Sequence, residues 1–337
     1  LTIKFIIMKK IILSAVALIG ALTLNAQDDD PKLSVSGTVD VYGTTNTVDG
    51  TGTPGLLIAN PDKANGFGLG MANTVFSYDG AKSGVVADIA FGPRADDANM
   101  AGAINQLYAY YNLTEKLTVT AGQFNTFLGY EVISPAANFN YSVSYLFNAG
   151  PFSHTGVKLD YAASEDLSFL LAVTNAHAIT SDDASESGAT QYGAQVGYKG
   201  QYLNFIYGAY SETSATDVLF LDYTGGFDLS ESLYLGINAA YSYSDDEEAG
   251  YQGAALYIEN TFTEKLALGL RPEFFSYTSA DDSEDVLALT LTASTQLDDN
   301  LKLITELRYD SSDDYIIEGI AAEKNATALT IAAVYSF

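Results

Sequence analysis

The chain has no cysteine, no tryptophan and only two histidines, His154 and His177, among 337 residues. Without cysteine there is no disulfide framework, no thiol chemistry and no lipid anchor on sulfur; with so little histidine, most zinc sites are excluded too. Bases are scarce: 15 Lys and Arg stand against 42 Asp and Glu, a net charge of −27. Such a chain does not seek nucleic-acid phosphates or anionic membrane surfaces. It has no glycine-rich phosphate loop leading into a helix, and almost no stretch with a period of 3.6. Proline is rare, at 7, and no apolar run of 18 residues follows the first 26. These absences argue against an enzyme and against membrane-spanning helices, and no cofactor or metal is expected.

The N-terminal segment stands apart. Met8-Lys9-Lys10 is basic, residues 11–24 ("IILSAVALIGALTL") are apolar, and small residues end at Ala26. This pattern predicts a secretory signal peptide over 1–26, with 1–7 as an upstream extension. Its apolar core is shorter than the roughly 20 residues that cross a bilayer as a helix. Residues 27–337 are expected to form one unit, with 12 bases against 42 acids and a net charge of −30.

Tyr (24), Phe (17) and Gly (29) are abundant, and they sit in segments of period two. Sixteen strands are predicted, near 33–42, 67–78, 83–91, 102–112, 116–125, 152–162, 166–176, 190–199, 201–211, 216–227, 232–243, 251–261, 265–277, 286–297, 300–310 and 326–337. They run longer than the roughly 5–6 residues of an average strand, and they match the roughly 9–11 that cross lipid at a tilt. Tight turns (79–83, 112–116, 163–166, 199–200, 228–232, 262–265, 297–300) alternate with longer, more acidic connections (43–66, 92–101, 126–151, 179–190, 212–216, 244–250, 278–285, 311–325). A soluble β-sandwich gives no reason for that alternation. An outer-membrane barrel does, with short turns in the periplasm and long loops outside.

The faces agree. In 326–337, Thr327, Leu329, Ile331, Ala333, Tyr335 and Phe337 share one side; in 301–310, Leu301, Leu303, Thr305, Leu307 and Tyr309 do. Tyr42, Tyr78, Tyr111, Tyr243, Tyr277, Tyr309 and Tyr335, near strand ends, are expected in interfacial girdles. An unpaired backbone group in lipid costs several kcal/mol, so the sheet must close on itself. The expected fold is therefore all-β: a transmembrane antiparallel up-and-down β-barrel of about sixteen strands in the outer membrane of a Gram-negative bacterium, surrounded by its lipids.

By parity, Asp40, Asp88, Lys158, Asp160, Glu259, Arg271, Glu273, Lys302, Glu306, Arg308 and Asp310 point inward. They either line a wet pore or pair across the wall, as Arg271/Glu273 and Glu306/Arg308 suggest. Sixteen strands enclose an aqueous channel where eight do not. The acidic clusters Asp182/Asp183/Glu186, Asp245 to Glu248 and Asp281 to Asp285 lack the spacing of a calcium loop. They are solvated loop residues or a weak divalent-cation surface. A serine beside His154 or His177 would suit a lipid-modifying enzyme, but both histidines are more simply rim residues.

One stretch breaks the β pattern. From 126 to 151, the third outward loop, apolar residues persist without alternation. Ser134-Pro135 reads as an N-cap followed by proline at the first helical position. Ala136, Phe139, Val143, Leu146 and Phe147 then form a stripe at helical spacing, with Asn138, Tyr141, Ser142 and Tyr145 opposite. The expectation is an amphipathic helix of about 13 residues ended by "NAGP" (148–151). It lies either against the inner wall, polar face to the lumen, or across the mouth.

The segment 106–176 resembles the β-barrel porin-2 family, the OmpL-like outer-membrane porins, at Gly122-Gln-Phe, Gly129-Tyr-Glu, Asn140-Tyr-Ser and Pro151-Phe-Ser-His-Thr-Gly-Val. The resemblance implies a channel and marks Gly129, Tyr130, Glu131, His154 and Gly156 as constriction positions. The expected function is passive diffusion of small hydrophilic solutes, with a preference for cations and a constriction at loop 3. The rival is a non-conducting structural or adhesive barrel. Phe337 resembles the signal read by the barrel assembly machinery, and a homo-oligomer is in keeping with general porins.

Overall fold

The computed structural model describes residues 32–47, 65–98, 102–176, 189–210, 216–244, 248–279, 282–312 and 324–337. The segment 1–26, His177, and the acidic residues Asp182, Asp183, Glu186, Asp245, Asp246, Glu247 and Asp281 lie outside the described residues.

Sixteen strands form: β1 Lys32–Asn46, β2 Gly66–Asp79, β3 Ser83–Phe91, β4 Ile104–Thr114, β5 Leu117–Asn125, β6 Ser153–Ala162, β7 Leu167–Asn175, β8 Thr190–Tyr198, β9 Gln201–Ala209, β10 Asp217–Asp228, β11 Leu233–Ser244, β12 Ala249–Thr261, β13 Leu266–Ser279, β14 Asp282–Gln296, β15 Leu301–Ser312 and β16 Asn325–Ser336. Each pairs antiparallel with its sequence neighbours, and β1 pairs with β16 to close the barrel. That seam runs from Thr38 opposite Ser336 to Asn46 opposite Ala328. Beyond it, Gly37 and Phe337 exchange both backbone hydrogen bonds at 3.0 Å. No sheet edge remains among the described strands, as hydrocarbon requires.

The alternation reads as the sequence indicates. Leu287, Leu289, Leu291, Leu307, Leu329, Ile331 and Tyr335 are exposed on the outer face, while Thr290, Glu306, Arg308 and Thr330 between them are buried inside. Two expectations need correction. Tyr42 is not in a girdle: it shares the inward face with Asp40, is buried, and its ring lies 5.7 Å from that of Tyr141. The connection expected over 278–285 shrinks to 280–281, because β13 and β14 continue pairing to Ser279 opposite Asp282. Polar strand residues there (Ser283, Glu284, Asp285) are exposed, so the ladder extends past the apolar band at no desolvation cost.

Two short helices occur among the described residues. The first, α1, Pro93–Ala98, in the second outward connection, went unforeseen. The second, α2, is only Tyr145–Ala149. The 13-residue helix expected from 134 onward does not form. The N-cap is Ser144, whose Oγ accepts the Phe147 N–H at 3.1 Å, and 134–144 is irregular backbone. The reason lies in the barrel wall.

Candidate functional site: the inner wall and loop 3

The connection between β5 and β6, here called loop 3, folds into the barrel and packs on inward side chains. Irregular backbone at membrane depth is tolerable only where protein or water satisfies it. Here the wall does so with charge. Glu306 on β15 accepts the N–H groups of Tyr141 at 2.6 Å and Ser142 at 2.9 Å. Glu273 on β13 accepts from Leu146 N–H at 2.9 Å. Cations take the carbonyls: Arg271 donates to Ser142 O at 2.7 Å and Val143 O at 3.2 Å, and Arg308 to Val143 O at 2.7 Å. Arg94 of α1 donates to Tyr141 O at 2.9 Å. Lys302 Nζ reaches the carbonyls of Pro135, Ala136 and Asn138 at 3.2–3.4 Å. Acids hold N–H groups and bases hold C=O groups along one segment. A helix would satisfy the same groups internally, so the wall competes with it and wins over 134–144.

Loop 3 adds its own charge. Glu131 pairs with Arg271 and accepts both the N–H and the hydroxyl of Ser144, at 2.7 and 2.6 Å. Arg271, Glu131, Glu273, Glu306, Arg308 and Asp310 are all buried. Arg308 also pairs with Asp310 at 2.9 Å. Asn138 clasps Val132, accepting its N–H at 3.0 Å and donating to its carbonyl at 2.6 Å. Tyr141 and Tyr145, expected to face the lumen, turn to the wall: Tyr141 donates to Asp40, and Tyr145 stacks on Phe275 at 5.8 Å. Burial above all, opposed by Arg94 and aided by the Asp40 carboxylate, holds the Tyr141 phenol well above its usual pKa, so it stays a donor.

The wall also makes room. A β-carbon at Gly193 on β8 would lie 2.5 Å from the Phe127 ring, and one at Gly236 on β11 would lie 2.5 Å from Tyr130 Oη; Phe139 fills the equivalent space over Gly269 on β13. Tyr130 stacks on Tyr257 at 4.0 Å. Gly129, with φ +82, turns the chain so that its N–H reaches Asp222 on β10 at 2.9 Å. Asp222 also accepts from Asn204 and Asn238. Neither Asp222 nor Arg94 was singled out from sequence. A lone acid in the apolar strand "VLFLDYTGG" was the available signal for Asp222; nothing comparable marks Arg94.

His154, Gly156, Lys158 and Asp160 lie on β6, away from the β13 and β15 charges that hold loop 3. His154 on β6 is buried, its Nε2 2.9 Å from Thr126 Oγ1 and its ring 4.9 Å from that of Phe127. Gly156 opposes Gly122 across β5 and β6. Lys158 pairs with Asp160 at 2.6 Å; the lysine is 4% exposed and the aspartate 24%. Asp79, Tyr108 and Tyr110 are part-exposed on the same stretch of inner wall. Glu259 on β12 is buried. Thus Glu131, Arg271, Glu273, Lys302, Glu306 and Arg308 come together at loop 3, whereas His154, Lys158 and Asp160 belong to the β6 wall.

A closed sixteen-stranded antiparallel barrel with charged residues on its inner face has the form of an outer-membrane channel protein. The comparisons agree. The chain matches the family model "Putative beta-barrel porin-2, OmpL-like" over residues 32–337. No curated protein matches it in sequence. Among solved structures it is similar to an anion-selective porin from Comamonas acidovorans (TM-score 0.61, 12% identity, covering 91% of this chain and 100% of that one). It is also similar to the trimer form of OmpT, an outer membrane protein of Vibrio cholerae (0.57, 13%, 92% and 100%), and to Pseudomonas putida OprB (0.57, 11%, 92% and 95%). At these identities the likeness shows the fold alone. The family match over nearly the whole chain, on a closed sixteen-stranded barrel, shows that this protein belongs to the OmpL-like β-barrel porin-2 family and is an integral protein of the outer membrane.

Proposed function

We propose that the barrel passes small hydrophilic solutes by passive diffusion, that loop 3 narrows its lumen, and that cations are preferred. The observation that carries the reading is the fate of the inward bases. Arg94, Lys158, Arg271 and Arg308 are buried, and Arg94, Arg271, Lys302 and Arg308 are engaged by loop carbonyls. Asp79 and Asp160 keep partial access to the lumen. The field met by a solute is then set by acids, and a charged wall enriches counter-ions. Reversal potential in a salt gradient tests the preference, and an anion-selective result refutes it. Deleting 133–148 is expected to raise single-channel conductance; an unchanged value removes loop 3 as the constriction.

The rival, a non-conducting structural or adhesive barrel, is favoured by how thoroughly loop 3 packs: Ile133, Tyr141, Val143, Leu146 and Phe147 are each at most 5% exposed. Absence of conductance steps from refolded protein would select it. Assembly through Phe337 and a homo-oligomeric state, as in the trimer form of Vibrio cholerae OmpT, are part of the same proposal. A C-terminal truncation assay and the mass of the detergent complex test them.

A further inference from the structure

Glu259 is 6% exposed, yet its carboxylate accepts no hydrogen bond from any described residue. A buried acid without a donor is costly and calls for a reason. Its surroundings supply one. On β11 the residue opposite is Tyr234; on β13 it is Gly269, over which the Phe139 ring of loop 3 lies. The Tyr130 and Tyr234 hydroxyls sit side by side above the paired glycines Gly236 and Gly226. Tyr130, Phe139 and Tyr234 are each part-exposed, so their rings wall the carboxylate without sealing it. Lys302 acts on Glu259 electrostatically, but its ammonium is bonded to the loop carbonyls and forms no ion pair with it. A carboxylate bounded by aromatic rings attracts an ammonium head by charge and by the ring quadrupoles together.

We infer that Glu259, with the rings of Tyr130, Phe139 and Tyr234, forms a binding subsite for a small organic ammonium ion inside the barrel. This rests on the porin reading and names a solute class for it.

The test uses the full chain refolded in detergent, with choline as the probe and its uncharged isostere 3,3-dimethylbutan-1-ol as the control. Saturation-transfer NMR measures binding of each at pH 8.5 to the parent protein, to Glu259→Gln and to Tyr234→Leu. Choline affinity is expected to fall about ten-fold or more in Glu259→Gln and roughly two- to five-fold in Tyr234→Leu, with the alcohol unaffected. Equal choline binding in all three proteins, or parallel loss of both probes, overturns the subsite. Should Glu259→Gln fail to refold, Tyr234→Leu and Phe139→Leu decide by the same criterion. Conductance in potassium chloride is recorded separately: its absence sinks the porin reading, while the choline titration still decides the subsite.

Discussion

Glu306 offers the sharpest perturbation of loop 3. Its carboxylate is 1% exposed and holds two loop N–H groups, those of Tyr141 and Ser142. Replacing it by alanine strands both donors in a dry contact. Each unsatisfied buried group costs about 1–3 kcal/mol, so the pair costs about 2–6 kcal/mol in the docked state and little once the segment is displaced into water. At 1.4 kcal/mol per decade, the opening equilibrium shifts by roughly thirty- to twenty-thousand-fold. The assay is hydrogen exchange of a peptide spanning 139–147 in the folded barrel, read by mass spectrometry beside single-channel traces. Glu306→Ala is expected to lose protection there by that factor and to add open-level noise, with strand peptides from β8 to β10 unchanged. Glu306→Gln keeps one acceptor oxygen and falls between. Unaltered protection of 139–147 in Glu306→Ala would refute the claim that wall carboxylates hold the loop backbone.

Three further outcomes are expected. Arg271→Met leaves Glu131 buried without its cation and lowers stability by about 3–5 kcal/mol, read as the urea midpoint of refolding in lipid vesicles. Gly236→Val places side-chain carbons where Tyr130 now lies; overpacking costs about 1–3 kcal/mol and is seen as faster exchange over 127–131. Leu291→Lys turns a charge toward lipid and lowers refolding stability by about 2–4 kcal/mol if Leu291 lies near the midplane; the same change at inward Thr292 is expected to cost less only if water reaches it, which the paired measurement reveals.

The strands were legible because lipid and barrel interior impose a period of two on every span. Leu329 and Ile331 outward with Thr330 inward follow from that alone. The same parity placed Asp40 inside and therefore Tyr42 with it; assigning Tyr42 to a girdle from its place near a strand end overrode the better signal. Loop 3 was legible as a place but not as a shape. Its helical stripe is a local pattern, whereas its conformation depends on Glu306, Arg271, Arg308 and Lys302, each more than 120 residues away in the chain. Charge at those wall positions was visible; that it would bond loop backbone rather than solute was not, because either role demands the same residues on the same face. Glycines at 193, 236 and 269 carried the complementary signal, since a glycine set within a strand, away from the turns, marks a place where a neighbour approaches closely.

The bonds between wall charge and loop backbone also bear on design. Because wall charges bond the loop's main chain while its buried side chains pack on the same wall, neither can change without loosening the other. A loop transplanted into another barrel would arrive without its anchors, and this barrel given a different loop would keep four cations and three acids stripped of their loop partners. Loop and wall are one interchangeable cassette, and reshaping the pore means editing the two together.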